Sequence, residues 1–159
     1  MSSGQSSLYG EIQDVRAQYP DPGSATLPAL RLAQERYGWL SPEVFREVAE
    51  ALEETPAFCM SVASFYDMFH LKPVGRHLVE VCTNVSCALR GAQQVLEAFE
   101  EELNVKAGET SEDGFATVRT VECLGGCGWA TIVALDHRYR MNVQPGDVSA
   151  IVEELQANG

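Results

Sequence analysis

His77-Leu78-Val79-Glu80-Val81-Cys82-Thr83-Asn84-Val85-Ser86-Cys87 decides the reading of this chain. From His77 to Cys82 the residues alternate well enough for a β-strand. The strand runs straight into a C-x4-C loop, and an apolar stripe at helical spacing follows. Leu89, Ala92, Leu96, Phe99 and Leu103 place one long helix over residues 88–103.

Further on, Asn104 to Gly114 reads as a polar loop and Phe115 to Glu122 as a second strand, with Phe115, Thr117, Arg119 and Val121 on one face. That strand also ends in a cysteine pair, Cys123-Leu124-Gly125-Gly126-Cys127, which is C-x3-C. Residues 130–135 and 139–143 read as two more strands. Pro145-Gly146-Asp147 opens a last helix with Val148, Ile151, Val152 and Leu155 facing inward. A β-α-β-β-α order makes a two-layer α/β unit, for which a thioredoxin-like arrangement is the expectation.

Upstream of His77 the signals are helical. Leu8, Ile12, Val15 and Tyr19 recur at helical spacing, and Pro20-Asp21-Pro22-Gly23 stops that run. Leu27, Leu30 and Ala33 mark a second helix, closed by Gly38. Ser41-Pro42-Glu43 is a start signal for a third, with Val44, Val48 and Leu52 buried. Thr55-Pro56 starts a fourth, read to about Phe69, with Phe58, Val62, Phe65, Tyr66 and Phe69 as an aromatic-rich stripe. The division expected is a helical region over 1–74 and an α/β domain over 75–159, an α+β chain overall.

Composition removes several functions. With 11 basic and 23 acidic residues the formal charge is −12, so no broad basic surface is present to neutralise nucleic-acid phosphates or anionic lipid heads. No run approaches the roughly 20 apolar residues of a membrane span. Met1 to Leu8 has neither the basic start nor the apolar stretch of a signal peptide. The expected compartment is the reducing cytosol, where five cysteines read as metal ligands or free thiols. The absence of C-x-x-C argues against a thioredoxin-type dithiol.

If the two cysteine-bearing strands are neighbours, Cys82, Cys87, Cys123 and Cys127 converge at one end of the sheet. Four thiolates are the ligand set of a [2Fe–2S] cluster, two sulfurs to each iron, and also of a structural zinc ion. Spacing alone does not separate them. The ample core makes a metal staple unnecessary, and C-x2-C knuckles are commoner than C-x4-C at zinc. Gly125, Gly126 and Gly128 leave room for a bulky group and offer backbone N–H donors. Acidic neighbours Glu80 and Glu122 are expected to lower a cluster's potential. Cys59 reads as a small buried hydrophobe. His70, His77 and His137 share no ligand spacing, and Glu97, Glu100, Glu101 and Glu102 read as a solvated helix face.

At these residues the chain resembles the thioredoxin-like [2Fe–2S] subunit family of NADH-quinone oxidoreductase, which includes the 24 kDa subunit of respiratory complex I. The resemblance rests on Ser61-Val62-Ala63-Ser64-Phe65-Tyr66, Pro73-Val74-Gly75-Arg76-His77, the Cys82 to Cys87 loop, Gly108-Glu109-Thr110 with Asp113-Gly114, and residues 121–127. It implies one [2Fe–2S] cluster on Cys82, Cys87, Cys123 and Cys127. It also implies a bacterial electron-transfer subunit that accepts single electrons from FMN. FMN and NADH would be held only in a partner subunit, and this chain would have no substrate site or catalytic residue of its own. The implied place is a peripheral arm on the cytoplasmic side, reached through partner subunits.

Two other readings stand beside it: the equivalent small subunit of an NAD-dependent formate dehydrogenase or bidirectional hydrogenase, and a zinc-stabilised thioredoxin-fold adaptor. One departure bears on the site. The family usually has proline after the alanine that follows the last cysteine, whereas Ala130 is followed here by Thr131. The expectation is a relaxed loop behind Cys127 with every ligand kept.

Overall fold

A computed structural model describes residues 7–157. The chain divides into two compact units between Pro73 and Val74. The first is all helical: α1 (Leu8–Arg16), α2 (Thr26–Tyr37), α3 (Pro42–Leu52) and α4 (Pro56–Phe65). Its starts follow from capping. Ser7, Ser41 and Thr55 each accept a backbone N–H from a residue three further on, and prolines stand at the first helical positions of α3 and α4. Gly38 closes α2 in the left-handed conformation, φ 79°. Leu8, Ile12, Leu30, Leu40, Val48 and Leu52 fill the core of this unit.

Two helical expectations are corrected. Tyr19 lies beyond the end of α1 and is exposed. Helix α4 stops at Phe65 rather than Phe69, and its buried residues are Cys59 and Ala63. The aromatic stripe divides: Phe65 is 80% exposed and Phe58 and Tyr66 are also exposed, whereas Phe69, beyond the helix, is buried in the core and Val62 packs against it. The face that α4 turns inward is the one carrying the small residues Cys59 and Ala63.

The second unit holds β1 (His77–Cys82), α5 (Val85–Leu89), α6 (Ala92–Leu103), β2 (Glu109–Thr110), β3 (Ala116–Val121), β4 (Val133–Leu135), β5 (Arg138–Arg140) and α7 (Val148–Ala157). The strands form one sheet in the order β2-β3-β1-β4-β5. Strands β1 and β3 are parallel neighbours, and the remaining pairs are antiparallel. Val79, Val81 and Val118 from the sheet pack with Val95, Leu96 and Phe99 of α6 and Val148, Val152 and Leu155 of α7. The result is the helix-on-sheet layering expected for the α/β part.

Here too the structure revises the reading. All six residues of β1 are buried, since it lies at the centre of the sheet, so its alternation is not an inside-outside pattern. The long helix is broken in two by Gly91, whose φ of 89° suits glycine. Leu89 therefore leaves the buried stripe and is 83% exposed. The polar loop contains the short strand β2, and the last two strands are shorter than their apolar runs.

Candidate metal centre

The parallel pairing of β1 with β3 builds the site. Their register sets Cys82 opposite Val121, and the ladder continues one step further as Thr83 donates its N–H to the Val121 carbonyl at 3.0 Å. Both cysteine loops thus leave the same end of the sheet. Cys82 terminates β1. Cys87 lies on α5, which is capped by Asn84, whose side chain accepts the Val85 N–H at 2.9 Å. Cys123 follows β3, and Cys127 opens a 3-10 turn through Trp129.

The four thiols differ in environment. Cys82 and Cys87 are buried, in a small apolar cluster with Ala92, Ala130 and Ile132, while Cys123 and Cys127 are exposed. Cys82 and Cys127 both act on the ionisation of Cys87. Burial raises the Cys87 pKa above that of an ordinary thiol, and the neighbouring cysteines push the same way against the Ile132 N–H, which favours the thiolate. The Cys123 sulfur accepts the Gly125 N–H at 3.3 Å. Among the described residues no three His, Cys, Asp or Glu side chains stand in the tight grouping that a single ion needs. All five cysteines are free thiols.

The donor set fits an iron–sulfur cluster. Soft sulfur donors come from two loops at one sheet end, and two of them are half-enclosed by apolar side chains. The backbone N–H of Gly125 already donates to a cysteine sulfur. Gly126 has a packing reason as well, since a Cβ there would come within 2.9 Å of the Ile132 side chain. Around the cysteines Val85, Leu89 and Trp129 are exposed, Trp129 by 57%.

Glu80 does not act as the sequence reading expected. Its carboxylate is buried and bonded to Arg119, so the charge two residues before Cys82 is compensated. Glu100 is also more than a solvated side chain: it accepts Lys106 Nζ at 2.7 Å and the Ala107 N–H at 2.9 Å. His77 is buried with Nδ1 2.8 Å from Asp136 Oδ2, and Cys59 is buried in the helical unit as expected. Thr131 corrects the expectation of a relaxed loop. It is fully buried, and its hydroxyl donates to the Arg90 carbonyl at 3.2 Å. The roles of Thr131 and Ile132 escaped the sequence reading because both depend on contacts between distant segments.

Residues 12–156 match the family described as thioredoxin-like [2Fe-2S] ferredoxin, and the chain belongs to that family of iron–sulfur proteins. Among its curated relatives, an E-type subunit of NADH-quinone oxidoreductase from Rhizobium meliloti is 39% identical over 92% of this chain and 88% of its own length. NADH-quinone oxidoreductase subunit 2 of Thermus thermophilus is 35% identical over 92% of this chain and 82% of its own. A crystal structure of NAD+-reducing [NiFe]-hydrogenase in the air-oxidized state shares the fold. Its TM-score is 0.72 at 19% identity, covering 81% of this chain and 23% of that one. No helix of the described residues is long and apolar enough to cross a membrane.

Proposed function

We propose that this chain is the electron-transfer subunit of a bacterial NADH-quinone oxidoreductase and holds one [2Fe–2S] cluster on Cys82, Cys87, Cys123 and Cys127. The observation that carries the reading is the β1–β3 register, which delivers both cysteine pairs to one end of the sheet in a chain of the [2Fe-2S] ferredoxin family. Such a cluster supplies a site that takes and gives up one electron at a time.

The protein's own part is to hold and shield. Buried Cys82 and Cys87 anchor the inner side, and exposed Cys123 and Cys127 leave the outer side open to a partner. The backbone N–H of Gly125 stabilises negative charge on sulfur. The exposed apolar side chains of Val85, Leu89 and Trp129 form a rim suited to docking a protein surface. The partner in this reading is the flavin- and NADH-binding subunit, which would hold FMN and NADH and deliver electrons from the flavin. Membership of the complex would place the chain on the cytoplasmic side of the membrane.

Two considerations favour this reading over its rivals. Relatives named as NADH-quinone oxidoreductase subunits reach 39% identity, whereas the hydrogenase likeness is one of fold. A zinc adaptor has the thiols in common but no support from the family. Electron paramagnetic resonance with iron, zinc and sulfide analysis, on the chain purified without oxygen and reduced with dithionite, tests the assignment. The expected result is a rhombic signal with about two irons and two sulfides per chain, lost on Cys-to-Ser change at any of the four positions. Stoichiometric zinc with no labile sulfide, after expression with iron–sulfur assembly factors, would overturn it.

A further inference from the structure

Helix α5 carries Cys87 but has little to hold it in place. It is five residues long, and Cys87 is its only buried residue; Val85 and Leu89 point to solvent. So short a helix is not stable by itself and takes its position from tertiary tethers. Those tethers come from two consecutive residues 41 or more positions away. The Thr131 hydroxyl donates to the carbonyl of Arg90, the residue that closes α5. Arg90 in turn donates its N–H to the Cys87 carbonyl at 3.0 Å. The next residue, Ile132, accepts the Cys82 N–H on its carbonyl at 3.1 Å and packs with both buried cysteines. From the other side, the Thr131 carbonyl accepts the Val143 N–H at 3.0 Å.

We infer that Thr131 is a positioning residue for the cluster: its hydroxyl locks α5, and with it Cys87, against the 131–132 segment that is bonded to Cys82. A buried hydroxyl with one acceptor in reach makes that bond persistently, and Thr131 is wholly buried. Water admitted to a ligand sulfur stabilises the more negative reduced state and raises the potential. Loosening the lock therefore opens Cys87 to solvent and raises the potential. The inference rests on Cys87 being a ligand.

The test compares Thr131→Val, which keeps the shape and removes the hydroxyl, with Thr131→Ser, which keeps the hydroxyl. Two quantities are read in the full chain: the cluster's reduction potential, and the alkylation rate of Cys87 relative to Cys123 in the metal-free protein. Thr131→Val is expected to shift the reduction equilibrium about threefold toward the reduced form, roughly 28 mV at 59 mV per decade for a one-electron couple. It is also expected to speed Cys87 alkylation several-fold, and Thr131→Ser to restore both. Unchanged potential and alkylation in Thr131→Val would overturn the inference, even with a lower melting temperature, as would failure of Thr131→Ser to rescue. Cys87→Ser is the separate control. If it keeps the full two-iron signal, the ligand assignment and the effect on potential fall together, and the alkylation rates alone decide whether the lock exists.

Discussion

Glu80 and Arg119 stand opposite each other across the parallel pair β1 and β3, and Arg119 Nε donates to Glu80 Oε1 at 2.9 Å. A second guanidinium nitrogen, Nη2, reaches the same oxygen. The pair joins the two strands two residues before the end of each, so it braces the part of the sheet from which both cysteine loops depart.

Arg119→Met would leave the Glu80 carboxylate buried without its main cation. His137 Nδ1, 3.9 Å from Glu80 Oε2 and on an exposed side chain, is too distant to replace it. Removing one partner of a buried pair costs about 3–5 kcal/mol, and the low end applies because Arg119 is partly exposed. The double change Glu80→Met with Arg119→Met removes both charges and is expected to recover most of the loss. Urea unfolding of the single and double variants checks this; equal destabilisation in both would show that the pair matters through packing alone.

Stability should fall in acid through carboxylates held below their usual range. Asp113 is lowered by the Ser111 hydroxyl and the Phe115 N–H, and Glu100 by Lys106 and the Ala107 N–H. Glu53 is lowered by Arg16, which bonds it through both guanidinium Nη atoms. The native state gives up these protons more readily than the unfolded chain. Their stabilisation is therefore complete above the unfolded values, about 4.3 for Glu and 3.9 for Asp, and is lost as pH falls through the lower native ones. Melting temperature should be nearly flat above about pH 5 as far as these groups are concerned, and should drop below it. The difference between wild type and Glu100→Gln, followed from pH 7 to pH 3, isolates one of them, and a difference that stays constant with pH would contradict the assignment.

The sequence carried the parts of the fold written in local chemistry. Ser41 before Pro42 and Thr55 before Pro56 announce helix starts through their own side chains, and both caps are formed. The two cysteine pairs at strand ends announce a common site as soon as the strands are neighbours. Most of what was missed depends on partners far along the chain. The rings of α4 look like core until Cys59 and Ala63 are seen to make the contact. Residues 88–103 keep one helical stripe, and only the Gly91 backbone reveals two helices. That break had a local signal, since Asn84 is a cap residue three positions before Cys87 and Gly91 is a natural stop after it. Glu80 reads as a free charge because Arg119 lies 39 residues away.

Cys59 should be chemically silent in the native protein. It is fully buried, and burial, reinforced by Glu54, pushes its pKa up to about 11. The thiolate is the reactive form, so both access and ionisation oppose attack. In the metal-free chain at pH 8, alkylation followed by mass spectrometry should modify exposed Cys123 and Cys127 first, with Cys59 modified only on unfolding. The same shift implies stability that is present below the unfolded thiol pKa, near 8.5, and lost as pH rises through the native value. Early labelling of Cys59 would mean that the helical unit opens readily.

Gly75 and Gly126 offer a paired test of how the second unit tolerates one added methyl. A Cβ on Gly75 would lie 2.8 Å from the Ala116 carbonyl carbon and 2.9 Å from Ala116 Cα, and the Gly75 N–H already donates to Thr117 Oγ1 at 2.7 Å. The close atoms are all backbone of Ala116, which cannot swing aside, so Gly75→Ala should cost about 2–3 kcal/mol, the upper part of the overpacking range. At Gly126 the clash is with the flexible side chain of Ile132, at 2.9 Å, and the cost should be nearer 1 kcal/mol. The consequences for function run the other way. Gly75 lies before β1, at the opposite end of that strand from Cys82, so its alanine variant should bind iron normally whenever folded. Gly126 lies between Cys123 and Cys127, and its added methyl would press on Ile132, which packs with Cys82 and Cys87. Gly126→Ala should therefore lose its iron faster to a chelator than wild type while melting close to it. The two variants losing iron at the same rate would refute this separation of stability from cluster retention.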